Sequence, residues 1–199
     1  MHKKMKHLLF LLSLLPLSLF AQSKDYQQAI AKYKDAQTVT ATAIRRRHKA
    51  AMAKDETAQG TFTIQQAQSK VNISVNGGKD QLDMQGDNFT MTIGGKSHKT
   101  SSKTNPQFAT FQTVLQSIIT GGNSSSDLSK HPDVSISQSG TDIVLTITPQ
   151  AASAKAQRRM MFTSFVITID TKTSEIKSLR MNEKGQNYTQ YDFSSYSFQ

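Results

Sequence analysis

The 199-residue chain has no cysteine and no tryptophan. Without thiols it has no disulfide framework, no thiolate metal site, and no thiol nucleophile or redox couple. Packing and hydrogen bonds alone must hold it. Histidine is sparse beyond the first 21 residues: His48, His98 and His131, none at ligand spacing to another histidine or to a carboxylate pair. There is no Gly-x-Ser-x-Gly nucleophile elbow and no glycine-rich phosphate loop leading from a strand into a helix. The carboxylates are few and scattered, with no evident acid–base pair. No catalytic residue, metal ligand or cofactor is therefore expected. A hydrolase site assembled in space from His131 and a serine finds no positive support in the sequence. No internal repeat of fixed period occurs, and nothing marks a second domain.

What is present begins at the N-terminus. Residues 1–7 carry Lys3, Lys4 and Lys6; residues 8–20 are apolar apart from Ser13, Pro16 and Ser18; Ala21-Gln22 offers a small residue for cleavage. This is the three-part layout of a cleaved secretory signal over 1–21. The apolar stretch is shorter than the about 20 residues that span a bilayer. The remainder, 22–199, has the size of one ordinary domain. Removing three lysines from 24 basic residues leaves 21 against 14 acids, a surplus of seven. The surplus favours anionic partners. Nucleic acid is not expected, because aromatic-rich basic clusters are missing.

Residues 23–38 read as an amphipathic helix, with Tyr26, Ile30 and Tyr33 on one stripe and Ser23 able to cap it. From Val39 the period becomes two. Runs at 38–44, 60–64, 71–75, 82–84 and 89–93 alternate apolar with Thr, Ser, Asn or Asp, and glycine turns at 77–78, 86 and 94–95 separate them. Four more runs, at 134–136, 143–147, 162–169 and 176–181, precede the aromatic C-terminus. Short strands at this spacing predict an antiparallel meander. The cluster 45–49 (Arg-Arg-Arg-His-Lys) puts Arg45, Arg47 and Lys49 on one strand face and Arg46 and His48 on the other. Charge on both faces predicts a strand end that leaves the sheet as a solvated edge, or a docking patch for an anionic surface. Between the two sets of strands, 105–120 reads as a helix begun by Asn105-Pro106 and stopped by Gly121-Gly122. It carries no charge from 106 to 120 and stripes Phe108, Phe111, Leu115 and Ile118 along one side. Residues 123–126 and 150–157 read as loops.

The fold class that follows is α+β, mostly antiparallel β. Its interior is either a solid sheet-plus-helix core or a partly closed, curved sheet over an apolar cavity. Five methionines (84, 91, 160, 161, 181) favour the hollow form, since Met adapts to irregular ligands.

The order of these segments resembles the outer-membrane lipoprotein carrier proteins, the LolA-like family of Gram-negative periplasms. The segments are the signal, an amphipathic helix, a Thr-Val-Thr-Ala-Thr strand and Gln59-Gly60-Thr61-Phe62. Gly86-Asp87-Asn88-Phe89, a helical insert, Ile143 to Pro149, and a closing Tyr196-Ser197-Phe198 follow. The resemblance runs from about Tyr26 to Phe198. It implies a curved, unclosed barrel-like sheet covered by an N-terminal helix and a helical lid. It also implies a monomeric periplasmic chaperone that carries lipoprotein acyl chains toward the outer membrane, without catalysis. The implied partners are acylated lipoproteins, an inner-membrane release complex and an outer-membrane acceptor. Strand parity then predicts Phe62, Ile64, Val71, Ile73, Leu82, Met84, Phe89 and Met91 as cavity lining, and Phe108, Phe111, Leu115 and Ile118 as the lid face. One departure bears on the lid. The family usually follows the Phe62 strand with a basic residue and proline, and that arginine helps hold the lid shut; this chain has Gln65-Gln66-Ala67. An envelope protein that binds another hydrophobic ligand, or an assembly module with a solid core, is the alternative.

Overall fold

Two-residue periodicity produces eleven strands among the described residues, and one sheet contains all of them. They are β1 (Thr38–His48), β2 (Glu56–Gln65), β3 (Lys70–Val75), β4 (Asp80–Gln85), β5 (Asn88–Ile93), β6 (Lys96–Ser101), β7 (Val134–Ser139), β8 (Asp142–Ile147), β9 (Phe162–Asp170), β10 (Ile176–Glu183) and β11 (Tyr188–Phe198). The structure is a computed structural model that describes residues 24–122, 128–151 and 153–199. The expected signal, the Ser23 cap and the 123–126 loop lie outside the described residues.

The strand order is β6-β5-β4-β3-β2-β1-β11-β10-β9-β8-β7. Every pairing is antiparallel. The two halves of the chain thus form two meanders, joined where β1 pairs with β11. Among the described residues no ladder joins β6 to β7, so the sheet is open.

The sheet is strongly curled. Phe89 on β5 and Phe165 on β9 have six strands between them. In a flat sheet they would lie about 33 Å apart, at about 4.8 Å per strand. Instead both rings meet Phe111, at centroid distances of 6.2 and 4.4 Å. The arms of the sheet close around that side chain.

Phe111 belongs to α2 (Ala109–Ile119), which a single 3-10 turn at Pro106–Phe108 introduces. The absence of charge along this segment now has its reason. Thr110, Phe111, Val114, Leu115, Ser117, Ile118 and Ile119 are all buried. The helix ends as expected: Gly122 N–H donates to the Ser117 carbonyl, and Gly121 adopts φ +60°. A Cβ on Gly121 would stand 2.6 Å from the Lys34 Cβ, so glycine also permits the N-terminal segment to pass.

That segment is α1 (24–30), continued by a 3-10 stretch, Ala31–Asp35. Tyr26, Ala29, Ile30 and Tyr33 are buried. The expected helix to residue 38 stops earlier, because Gln37 and Thr38 N–H groups both turn to the Gln199 carbonyl and start the sheet.

Two local expectations need correction, and one strand was not anticipated. The 45–49 cluster does not leave the sheet: β1 runs on to His48, paired with β2 and β11 on its two sides almost throughout. Residues 96–101 form an edge strand, β6, although they carry no apolar alternation. Part of the expected 150–157 loop is a short helix, α3 (Ala154–Arg159), capped by the Ser153 hydroxyl.

Candidate functional site

Cross-strand registry assembles the inner wall. Phe62 faces Ile73, Ile64 faces Val71, Ile73 faces Leu82, and Val71 faces Met84. Leu82 then faces Met91, and Met84 faces Phe89. The eight residues expected to line the interior therefore share one sheet face; seven are buried, and Met91 stands half-buried at the rim. The four expected on the helix, Phe108, Phe111, Leu115 and Ile118, are buried against them. Phe108 stacks on Phe89 at 4.8 Å, and Phe111 on Phe165 at 4.4 Å.

The opposite wall was not among the sequence-derived candidates. Ile143, Leu145 and Ile147 of β8, Phe162, Phe165, Ile167 and Ile169 of β9, and Leu179 and Met181 of β10 belong to the same buried cluster. Their alternation was visible in the sequence. What the sequence did not show is that the second meander curls over to face the first.

The hollow expected beneath the helix is filled. Between α2 and the sheet, among Ile64, Val71, Met84, Leu115, Ile118 and Leu179, about 20 Å³ stands open. That is barely room for one water molecule. Larger spaces open at one end of the barrel. An apolar groove of about 260 Å³ is lined by Leu82, Phe89, Met91, Ile93, Phe108, Met161 and Phe162, with His98 and Lys99 of β6 on its rim. Ile93 and Met161, both on this groove, are 41% and 57% exposed. A second cavity, about 210 Å³, shares Met91, Ile93, Met161 and Phe162 with it and continues toward Arg45, Arg47 and Tyr191.

Arg45 accounts for much of the polarity there. Its inward-facing parity, shared with Ala43, buries it to 7% exposure. Nη1 donates to Asp80 Oδ2 at 2.7 Å. Asp80 also accepts from Asn76 Nδ2 at 3.0 Å and Gly94 N–H at 2.7 Å. Burial alone would push the Asp80 carboxyl up; the Gly94 amide, Asn76 and Arg45 together hold it below its ordinary range. Burial raises the Tyr191 hydroxyl to about 12, so it stays protonated at neutral pH.

Polar ties hold α2 in place. Gln66 Nε2 donates to the Ile119 carbonyl at 2.6 Å and to the Tyr33 carbonyl at 3.1 Å, bridging the ends of both helical segments. Gln112 Nε2 donates to the Gly86 carbonyl at 2.6 Å and to Asp87 Oδ1 at 3.0 Å. Thr110 donates to Asp133, and the Tyr26 hydroxyl to Ser117 Oγ at 3.0 Å. These are a few bonds at the helix margins, around an apolar middle.

The histidines lie apart. His48 pairs with Asp55 at 2.7 Å, His98 sits on β6, and His131 Nδ1 accepts from Asp133 N–H. Among the described residues no group of three or more His, Asp or Glu side chains could hold a metal.

The sequence matches no protein-family model and no curated protein. Solved structures do match over most of the chain. Lipoprotein LppX of Mycobacterium tuberculosis is 15% identical, covers 88% of this chain and 94% of its own, and has a TM-score of 0.41. A putative outer membrane lipoprotein-sorting protein domain from Vibrio parahaemolyticus is 10% identical, with coverage of 89% and 92% and a TM-score of 0.45. A LolA superfamily protein of Nitrosomonas europaea is 10% identical, with coverage of 86% and 93% and a TM-score of 0.35. At these identities the matches assign no ligand to this chain.

Proposed function

We propose that the protein is a non-catalytic carrier that takes acyl chains into its barrel, with α2 as the lid. The single observation that supports this most is the apolar groove beside Phe108. It opens to solvent through exposed Ile93 and Met161, and it leads into an interior of aliphatic and aromatic side chains. At about 260 Å³ it lies just below the roughly 300–1,000 Å³ of ordinary ligand sites. A full acyl chain needs more, so α2 must swing away from the wall.

The energies allow that. Exposing Phe108, Phe111, Val114, Leu115, Ile118 and Ile119 costs roughly 1.5–3 kcal/mol each, or roughly 9–18 kcal/mol together, a range that brackets the gain from a guest. A ~16-carbon chain gains about 0.8 kcal/mol per buried CH₂, roughly 13 kcal/mol. Guest burial offsets lid opening, and the empty protein collapses onto its own side chains. The filled interior is then the resting state of a carrier that avoids exposing a greasy hollow to water.

The cargo we assign is the acyl portion of lipoproteins. The compartment is the periplasm, reached by cleavage of the 1–21 signal, and the protein acts as a monomer on the way to the outer membrane. A release complex at the inner membrane and an outer-membrane acceptor are the corresponding partners. Native mass spectrometry of residues 22–199 with a synthetic diacylated lipopeptide tests the assignment. A one-to-one adduct that the de-acylated peptide does not form is expected. Uptake of neither peptide, or equal uptake of both, rejects it.

A further inference from the structure

Arg45 is the least expected residue of the interior, and its bonding is incomplete. Nη1 is committed to Asp80. Nε is buried with no partner, and no hydrogen bond among the described residues uses Nη2. A buried donor left unpaired is destabilising, and more so on a charged group. The Nε–Nη2 edge is also the guanidinium fork that matches a carboxylate or phosphate with two parallel bonds.

The surroundings suit an anion. Arg47, on the same face of β1, and Lys49, just past its end, line the same 210 Å³ cavity. Two carboxylates, Asp80 and Glu183, also line it, and Arg47 lies 3.6 Å from Glu56, so each cation has an acidic neighbour and it is the free donors, not a surplus of charge, that favour an anion. Asp80 accepts from three donors, and Glu183 pairs with Lys49 at 2.7 Å. Tyr191 is 6% exposed, and its hydroxyl makes no hydrogen bond among the described residues, which leaves a protonated donor beside Arg45. The wall shared with the apolar groove, Met91, Ile93, Met161 and Phe162, places this polar cavity directly alongside a site for a hydrocarbon tail.

We propose that the cavity at Arg45 and Tyr191 binds the anionic oxygen head of an acyl amphiphile whose tail lies in the adjoining groove, an inference that rests on the acyl-binding function proposed above. The ligand class is a fatty carboxylate or an alkyl or acyl phosphate, a second class of acyl guest beside the ester- and amide-linked chains of lipoproteins, which carry no such head. The arriving oxygens take the free fork of Arg45, Tyr191 donates a further bond, and Arg47 and Lys49 add attraction that salt weakens.

Fluorescence titration with cis-parinaric acid and with its methyl ester tests this, because the two share a tail and differ in one charge. The acid is expected to bind at least about tenfold more tightly than the ester, with a ratio that falls as salt rises. In Arg45→Met/Asp80→Asn, which removes the buried pair as a unit, the ratio is expected to fall to about one. Arg47→Gln leaves that pair intact and serves if the double variant does not fold; it is expected to lower the ratio about two- to fivefold. Displacement of the acid probe by palmitate or by hexadecyl phosphate identifies the preferred head, and either result supports the proposal. Equal affinity of acid and ester overturns the head site while leaving acyl binding intact. Displacement by glycerol monopalmitate as strong as by the charged competitors, or by millimolar inorganic phosphate alone, also overturns it. If neither probe binds, acyl binding itself fails, and the head site with it.

Discussion

Asp80 stays charged in a buried position because three donors converge on it, and that convergence has a pH signature. Its folded carboxyl titrates below its ordinary range. A depressed folded value adds stability above the unfolded pKa of about 3.9, and that stability is lost as pH falls through the folded value. At pH 7, Asp80→Asn should be less stable by about 3–5 kcal/mol, since it leaves Arg45 buried without its counter-charge. Urea unfolding from pH 7 to pH 3 should show the gap between wild type and variant narrowing once pH drops below about 4. A gap that stays constant over that range contradicts the assigned pairing. Parity along β1 was enough to put Arg45, Arg47 and Lys49 on one face. It could not say that the face was interior, because the partner that makes burial tolerable lies 35 residues away on β4. Local charge density read as an edge, whereas long-range pairing made it the middle of a sheet.

At the scale of elements, α2, the proposed lid, is joined to the rest of the fold by few polar ties, and Gln66 is the most economical of them. One side-chain amide reaches the last turn of α2 and the 3-10 stretch after α1. It stands where the resemblance implied a basic residue, and it makes the kind of contact that closes a lid. Gln66→Ala should lower stability by about 1–2 kcal/mol, near 1 kcal/mol per hydrogen bond lost. It should also speed uptake of an apolar fluorescent probe in stopped-flow mixing. Unchanged uptake with reduced stability would mark Gln66 as a tie that does not gate. Element legibility followed apolar patterning. β3, β4, β5, β8 and α2 alternate or stripe clearly and were found. β6 is an edge strand whose side chains are mostly exposed, and α3 has no buried residue, so neither leaves an apolar signature. The Gln66 tie was not legible, because glutamine beside a strand end carries no pattern.

For the molecule as a whole, the decisive property is curl. A single sheet with its first and last strands paired wraps until β5 and β9 share α2 as a common core. The twelve side chains named from the sequence lie on the inner faces, since strand parity and helical stripe determine which way a residue points. The volume among them was not legible. Whether Ile, Leu and Phe side chains meet or leave a gap depends on sub-ångström packing between distant segments, and here they meet. An acyl carrier with a filled resting interior must open before it can load. The chain's lack of cysteine makes a direct test simple, because introduced thiols have no competitors. Asp87 and Gln112 touch across the lid and the sheet, with Asp87 Oδ1 3.0 Å from Gln112 Nε2. In Asp87→Cys/Gln112→Cys, a short cleavable bis-thiol linker fixes α2 to the β4–β5 turn. Lipopeptide affinity should fall at least about tenfold when the linker is in place and return when it is cut. Undiminished binding by the linked protein would contradict a carrier that loads by lifting α2.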